Sequence, residues 1–143
     1  MDRSPERDSP ATQTNNAPGT FLIVEDEQLM LRLLEKVLLD HGSKVFTAAD
    51  GEEAIAVYRR HKQEINVVLL DMGLPKIAGW EVFLEIKKEN PDVCAVIASG
   101  YLEADAKTNL YRAGVKHFVN KPYMPENVVE ILQSLVEQRS KII

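Results

Sequence analysis

Side chains of three kinds that together suit phosphoryl chemistry are spread along this sequence of 143 residues. They are three carboxylates, one hydroxyl and one ammonium group: Glu25, Asp26, Asp71, Ser99 and Lys121. Carboxylates that share a cleft repel one another, and a hard cation such as Mg²⁺ relieves that repulsion through oxygen ligands. A carboxylate is also a nucleophile toward phosphorus when cations and donors neutralise the transferring oxygens. The residue types therefore suit acceptance of a phosphoryl group on an aspartate, provided that the fold brings them together.

Apolar runs alternate with amphipathic segments along most of the chain. The apolar runs predict five β-strands, at Phe21–Val24, Lys44–Ala49, Val67–Leu70, Val93–Ala98 and Lys116–Val119. Apolar residues at helical spacing predict five helices: one from Leu29 that His41-Gly42 ends, then Gly51–His61, Gly79–Glu89, Glu103–Ala113 and Glu126 to about Gln138. Such alternation requires crossover connections, so it predicts a parallel sheet with helices on both faces.

The candidate residues follow predicted strands at the point where each strand ends. Glu25 and Asp26 follow the first strand, Asp71 follows the third, and Ser99 follows the fourth. Lys121 comes shortly after the fifth strand. Open α/β sheets bind ligands beyond the carboxyl ends of their strands. We therefore expect these side chains to meet at one rim of the sheet.

Four short motifs stand at these strand ends: Val-Glu-Asp-Glu, Leu-Leu-Asp-Met-Gly-Leu-Pro, Ser-Gly-Tyr and Val-Asn-Lys-Pro, in that order along the chain. Together they resemble the receiver domains of two-component response regulators. The resemblance covers about Phe21 to Arg139 and is closest to the chemotaxis-regulator-like type. It implies a doubly wound (βα)5 three-layer sandwich of the flavodoxin-like α/β class, with a five-stranded parallel sheet of order 2-1-3-4-5.

The resemblance also implies roles for individual residues. Asp71 resembles the phosphoacceptor. Glu25 and Asp26 resemble the acidic pair that holds Mg²⁺ or Mn²⁺ together with Asp71, and the backbone carbonyl of Gly73 resembles a further metal ligand. These roles predict a metal-assisted phosphoryl site.

Other matching positions imply a switch that responds to the phosphoryl group. Ser99 and Lys121 resemble the hydroxyl and the ammonium group that contact the phosphoryl oxygens. Phe118 resembles the switch aromatic residue that moves with Ser99. The bond between Lys121 and Pro122 resembles the cis peptide that is usual in this family.

A receiver of this kind takes its phosphoryl group from a histidine kinase or a histidine phosphotransfer protein. It then acts on a downstream effector protein, as a monomer or as a phosphorylation-dependent dimer. It is not an enzyme beyond assisting its own aspartyl phosphorylation and dephosphorylation. The main alternative is a degenerate receiver that binds partners without being phosphorylated.

Two other functional classes suit the sequence less well. A flavodoxin-like electron carrier needs a phosphate cradle after the first strand, where the negative charges of Glu25 to Glu27 would repel phosphate. A phosphohydrolase with an aspartyl nucleophile usually has a second acid two residues later, where this chain has Gly73.

Composition limits the remaining possibilities. The formal net charge of −5 argues against direct binding of nucleic acid by this chain. The apolar runs are too short to span a membrane, and we expect a cytoplasmic protein. Residues 1–19 are polar and rich in proline, which predicts a disordered tail or linker before a receiver domain at residues 20–140.

Overall fold

The computed structural model describes residues 19–142 of the chain. The tail predicted at residues 1–19 therefore lies outside the described residues, except for Gly19. The division into a tail and a domain at residues 20–140 stays a prediction.

The described residues form strands and helices that alternate from start to end. The strands are β1 Thr20–Val24, β2 Lys44–Ala48, β3 Val67–Asp71, β4 Ala95–Ser99 and β5 His117–Asn120. The helices are α1 Gln28–Asp40, α2 Gly51–His61, α3 Gly79–Glu89, α4 Ala104–Arg112 and α5 Pro125–Ile142. The predicted α/β alternation is confirmed.

The strands form one parallel sheet in the order β2-β1-β3-β4-β5, which is the predicted order 2-1-3-4-5. Val24 at the end of β1 pairs with Leu70 of β3, and Asp71 pairs with Ala98 of β4. Ser99 in turn pairs with Asn120 of β5. This register aligns the carboxyl ends of four strands, so the residues that follow them share one rim.

Side chains of successive strand residues point into two hydrophobic clusters, one on each face of the sheet. Leu22 and Val24 join α2, α3 and α4 in one cluster. Phe21 and Ile23 join α1 and α5 in the other. All five residues of β3 are buried, as expected for a strand that is covered on both faces. The central strand thus holds Asp71 on a rigid support.

Three boundaries of β3 and β4 differ from the sequence prediction, and two of them matter for the site. β4 begins at Ala95 rather than Val93, because the Val93 N–H bonds the Asn90 carbonyl at 3.0 Å in the turn after α3. β3 and β4 each extend one residue further than predicted, so that Asp71 and Ser99 are the last residues of their strands. Both side chains therefore project from paired backbone rather than from a loop.

Among the described residues, no helix combines the length and the apolar character that crossing a membrane requires.

Candidate functional site

Two of the three candidate carboxylates are buried at the rim. Glu25 directly follows β1 and is 2% exposed, and Asp71 is 4% exposed. Backbone amides hold both in place: the Glu27 N–H donates to Glu25 Oε2 at 3.1 Å, and the Gly73 N–H donates to Asp71 Oδ1 at 3.0 Å. The carboxylates are thus fixed by the loops that leave their strands.

Asp26 completes the acidic group and is exposed to solvent. Carboxylate oxygens of Glu25, Asp26 and Asp71 all lie within 4.8 Å of one another. Hard divalent cations prefer such an all-oxygen set, and Mg²⁺ retains several waters that the exposed side of the cleft can accommodate. The donor set therefore fits Mg²⁺ or Mn²⁺.

Lys121 extends from the segment after β5 into the acidic group. Its Nζ lies 3.0 Å from Asp71 Oδ2 and 3.5 Å from Glu25 Oε1. The Lys121 N–H donates to the Ser99 carbonyl at 2.8 Å, which ties this segment to the end of β4. The peptide bond between Lys121 and Pro122 is cis.

The electrostatics of the site are unbalanced. Burial raises the pKa of Glu25, and the charge of Asp71 raises it further, against the opposing effects of the Glu27 amide and Lys121. Burial alone would lower the pKa of Lys121, but its hydrogen bond to Asp71 and the charges of Asp71 and Glu25 raise it overall. One ammonium group thus does not fully compensate the clustered carboxylates, and a divalent cation would be stabilised here.

Ser99 lies at the mouth of the cleft but does not contact Asp71 through its hydroxyl. Its Oγ donates to the Tyr101 carbonyl at 2.9 Å. A Cβ atom added to Gly100 would have no heavy atom within 4 Å, so the approach beside Ser99 is open. The resulting cleft has a volume of about 510 Å³, and its lining includes all five candidate residues together with Met72, Gly73, Gly100, Tyr101 and Leu102.

Phe118 lies on β5, away from the acidic group. Its ring meets that of Tyr111 edge-on, with centroids 4.8 Å apart and an interplanar angle of 77°. Lys107 Nζ lies 5.9 Å from the centroid of the same ring. The predicted switch residue is therefore half-buried: it packs against the hydrophobic cluster on the α2, α3 and α4 side and is flanked by α4 side chains.

Gly79 is a residue of the site that the sequence analysis missed. A Cβ atom at this first residue of α3 would lie 2.7 Å from the Asp71 carbonyl oxygen and 2.8 Å from Met72 Cα. Glycine is therefore required for α3 to start directly against the end of β3. The sequence did carry a signal for this close contact: a glycine at the start of a predicted helix, eight residues after a candidate nucleophile.

The comparisons with known proteins agree with this fold. The family model for the response regulator receiver domain matches residues 21–133. The chain therefore belongs to the response regulator receiver domain family.

Curated relatives include longer regulators. A probable transcriptional regulatory protein, TcrX, of Mycobacterium tuberculosis is 31% identical over 126 residues, covering 88% of this chain and 53% of TcrX. A probable transcriptional regulator, ycf27, of Pyropia yezoensis is 32% identical over 127 residues, covering 89% of this chain and 51% of that protein. This chain thus spans about half the length of these curated relatives.

Solved structures share the fold. A CheY-like receiver domain protein from Methanospirillum hungatei superposes with a TM-score of 0.79 at 24% identity, covering 87% of this chain and 98% of that one. A chain of the CheX-CheY-BeF3-Mg+2 complex from Borrelia burgdorferi gives a TM-score of 0.76 at 27% identity, with coverage of 82% and 88%. At 24% identity, the likeness to the Methanospirillum hungatei protein supports the flavodoxin-like fold alone.

Proposed function

We propose that this chain is a phosphoaccepting receiver, in which Asp71 takes a phosphoryl group from a histidine kinase or a histidine phosphotransfer protein. One observation carries the proposal: the buried Asp71 carboxylate lies at a strand end within reach of two further carboxylates and 3.0 Å from the Lys121 ammonium. A structural aspartate would need one partner, whereas this one lies in a cleft whose carboxylates suit a divalent cation and whose ammonium group suits a phosphoryl oxygen.

The proposed reaction is an exchange of one bond at phosphorus. A carboxylate oxygen of Asp71 attacks, and an oxygen–phosphorus bond forms while the nitrogen–phosphorus bond of the phosphohistidine donor breaks. The imidazole nitrogen keeps the electron pair of the broken bond, and the ring takes up a proton. The chemistry adds no oxidant or reductant.

Residues of this chain orient and neutralise the reacting groups. The Gly73 amide holds one oxygen of Asp71, which leaves the carboxylate turned toward the cleft. The Lys121 ammonium, which now contacts Asp71 Oδ2, exchanges that contact for one with a phosphoryl oxygen. Glu25, Asp26, Asp71 and the backbone carbonyl of Gly73 would hold Mg²⁺ or Mn²⁺, which supplies positive charge to the phosphoryl oxygens.

The proposed output is a change in the face formed by α4, β5 and α5. Ser99 Oγ exchanges the Tyr101 carbonyl for a phosphoryl oxygen, and Phe118 moves into the space that is released. Phe118 packs against the hydrophobic cluster from its half-buried position, and its contacts with the Tyr111 ring and the distant Lys107 ammonium are each weak. A local charge change is therefore enough to shift the population of this face.

We infer that an effector protein or an attached domain binds this face in the cytoplasm. The curated relatives are about twice as long as the matched region and are named as transcriptional regulators. The net charge of −5 makes this chain itself unsuited to DNA.

Incubation with acetyl phosphate and Mg²⁺, followed by intact mass measurement, tests the proposal. We expect the mass to increase by one phosphoryl group, and EDTA to prevent the increase. Asp71→Asn should abolish the gain, whereas Asp40→Asn, at the exposed end of α1, should not. An unchanged mass for the wild-type chain would instead favour the degenerate receiver.

A further inference from the structure

The C-terminal end of α4 is closed by backbone hydrogen bonds and buried side chains. Gly114 has a φ of +109°, in the left-handed region, and its N–H donates to the Tyr111 carbonyl at 3.0 Å. The Val115 N–H donates to the Leu110 carbonyl, also at 3.0 Å. These bonds form a Schellman motif, and Leu110 and Val115 are buried in the same hydrophobic cluster. This end of the helix is therefore firmly fixed.

A lysine of α3 holds the same end of α4. Lys87 is half-buried, and its Nζ donates to the carbonyl of Ala113, the C-cap residue of α4. A cation is favoured at this end of a helix, where carbonyl groups lack partners within the helix. The next residue, Lys88, is exposed and pairs with Glu85 of its own helix at 3.0 Å. Lys87 thus links α3 to α4, whereas Lys88 does not.

The N-terminal half of α4 has fewer attachments. Among the described residues, Glu103 at the N-cap makes no capping hydrogen bond through its side chain. Helices α1 and α3 also begin without such a bond, but each buries at least three residues, whereas Leu110 alone is buried among the described residues of α4. The segment before α4 is held by half-buried Leu102 and by the bond from Ser99 Oγ to the Tyr101 carbonyl.

An apolar cavity of about 340 Å³ lies between α3 and this part of α4. Its lining residues are Met72, Trp80, Ala106, Asn109 and Leu110. Met72 also lines the acidic cleft, so the cavity adjoins the site of the proposed phosphorylation. A helix can move into such a space without displacing packed side chains, and the movement brings apolar surfaces into contact.

We propose that α4 pivots about its C-terminal end, where Lys87 and the Gly114 turn hold it. Its N-terminal half moves toward α3 and closes the cavity when Ser99 releases the Tyr101 carbonyl. The closing movement rests on the proposed function, because phosphorylation of Asp71 is the event that draws Ser99 away. The uneven attachment of α4 is a property of the unphosphorylated chain and is tested there.

Residue-resolved amide hydrogen exchange of the unphosphorylated chain tests the pivot. We expect stronger protection at residues 113–115, at the fixed end, than at residues 108–110 in the middle of α4. Lys87→Met should raise the exchange rates at residues 113–115 about tenfold, as the loss of one charge-assisted hydrogen bond does. Lys88→Met is the matched control, because it removes an exposed lysine of the same helix, and its rates should equal those of the wild type.

Filling the cavity tests the closing movement. Ala106→Leu places three more carbon atoms in the cavity, so α4 can no longer close it. The change in amide exchange that phosphorylation causes at residues 104–110 should then fall below half of the wild-type change, at equal phosphorylation by intact mass. Ala104→Leu is the matched control, because Ala104 is exposed at the start of α4. It should show the full change.

Four results would overturn the inference. Even protection along α4, or unchanged exchange in Lys87→Met, would show that the C-terminal end is not the pivot. A full phosphorylation-dependent change in Ala106→Leu would show that the cavity does not close, and a much lower urea midpoint of this variant would show that the space is not there. If the wild type gained no phosphoryl group, the proposed function would fail, whereas exchange in the unphosphorylated chain would still decide the pivot.

Discussion

At the scale of single residues, the reactivity that we propose for Asp71 depends on its neighbours. Taken alone, it is an aspartate before a Gly73 turn, and such residues are common. The structure places Lys121 Nζ 3.0 Å from one of its oxygens and the Gly73 amide 3.0 Å from the other. The types of these residues and their positions at strand ends were predictable from sequence. Their distances were not, because they depend on the sheet register.

The sequence does not indicate which hydroxyl groups already have hydrogen-bond partners in the folded chain. Ser99 was predicted to serve a phosphoryl group, and the structure shows its Oγ bonded to the Tyr101 carbonyl. Nor does the sequence indicate that the hydroxyl of Tyr123 is buried without a hydrogen-bond partner among the described residues.

Glu25→Gln should raise the stability of the cation-free chain at neutral pH. The raised pKa of Glu25 means that the folded state binds its proton more tightly than the unfolded state does. Ionised Glu25 therefore lowers stability as the pH rises from its ordinary pKa of 4.5 through its higher folded value. Urea midpoints should thus be higher for Glu25→Gln at neutral pH, and the gain should vanish as the pH falls below 4.5.

Glu35→Gln is the control for this pH dependence, because Glu35 belongs to a surface ion pair with Arg32 on α1. We expect its midpoint to follow the wild type at each pH. A Glu25→Gln variant that is less stable than the wild type at neutral pH would contradict our description of the acidic group.

Lys121→Met should destabilise the cation-free chain by about 1–3 kcal/mol, since it leaves the buried carboxylates without their ammonium partner. Saturating Mg²⁺ should restore most of this loss, because the cation then compensates the same carboxylates. Urea unfolding with and without Mg²⁺ measures both quantities. Lys36→Met, which removes an exposed lysine paired with Asp40, should change little; an equal effect of both variants would be inconsistent with our assignment.

At the scale of elements, the rim exists because four strands end in register. The periodic apolar runs predicted the existence and type of each strand and helix. They placed the start of β4 two residues too early, since Val93 and Cys94 are apolar but precede the ladder. Apolar character reports burial, and burial continues beyond the paired backbone.

The start of α3 against the end of β3 is a close contact that only the structure reveals. Gly79→Ala places a Cβ atom 2.7 Å from the Asp71 carbonyl oxygen, so the backbone beside Asp71 must move. We expect a loss of about 1–3 kcal/mol in the free energy of unfolding and slower phosphorylation by acetyl phosphate. Urea unfolding and intact mass measured over time give the two values.

Gly100→Ala is the matched control for this substitution. Gly100 also lies in the cleft, but an added Cβ atom there has no heavy atom within 4 Å. Its stability should match the wild type. Equal losses in the two variants would mean that glycine flexibility, rather than the close approach of α3, determines the effect.

At the scale of the whole molecule, the alternating pattern predicted a parallel sheet with helices on both faces. The strand order came from the family resemblance, because the spacing of apolar residues does not specify which strands are neighbours. The observed order β2-β1-β3-β4-β5 confirms it. This order places β3, and with it Asp71, at the centre of the sheet.

Phosphorylation should change the dynamics of one face of the molecule. Amide hydrogen exchange should differ between the phosphorylated and unphosphorylated chain in residues 99–120, which contain α4 and β5. The effect follows from the proposed movement of Ser99 and Phe118. Residues of α2, which lies near the opposite edge of the sheet, are the internal control. A change in exchange confined to α2 would contradict the proposed output face.

The most direct test of the central claim is to locate the acyl phosphate. After phosphorylation with acetyl phosphate and Mg²⁺, borohydride reduces an aspartyl phosphate to homoserine, and peptide mass spectrometry then identifies the converted position. We predict conversion at Asp71 and its absence in Asp71→Asn. Conversion at Asp26 or at another acidic residue, with Asp71 intact, would contradict the assignment of Asp71 as the phosphoacceptor.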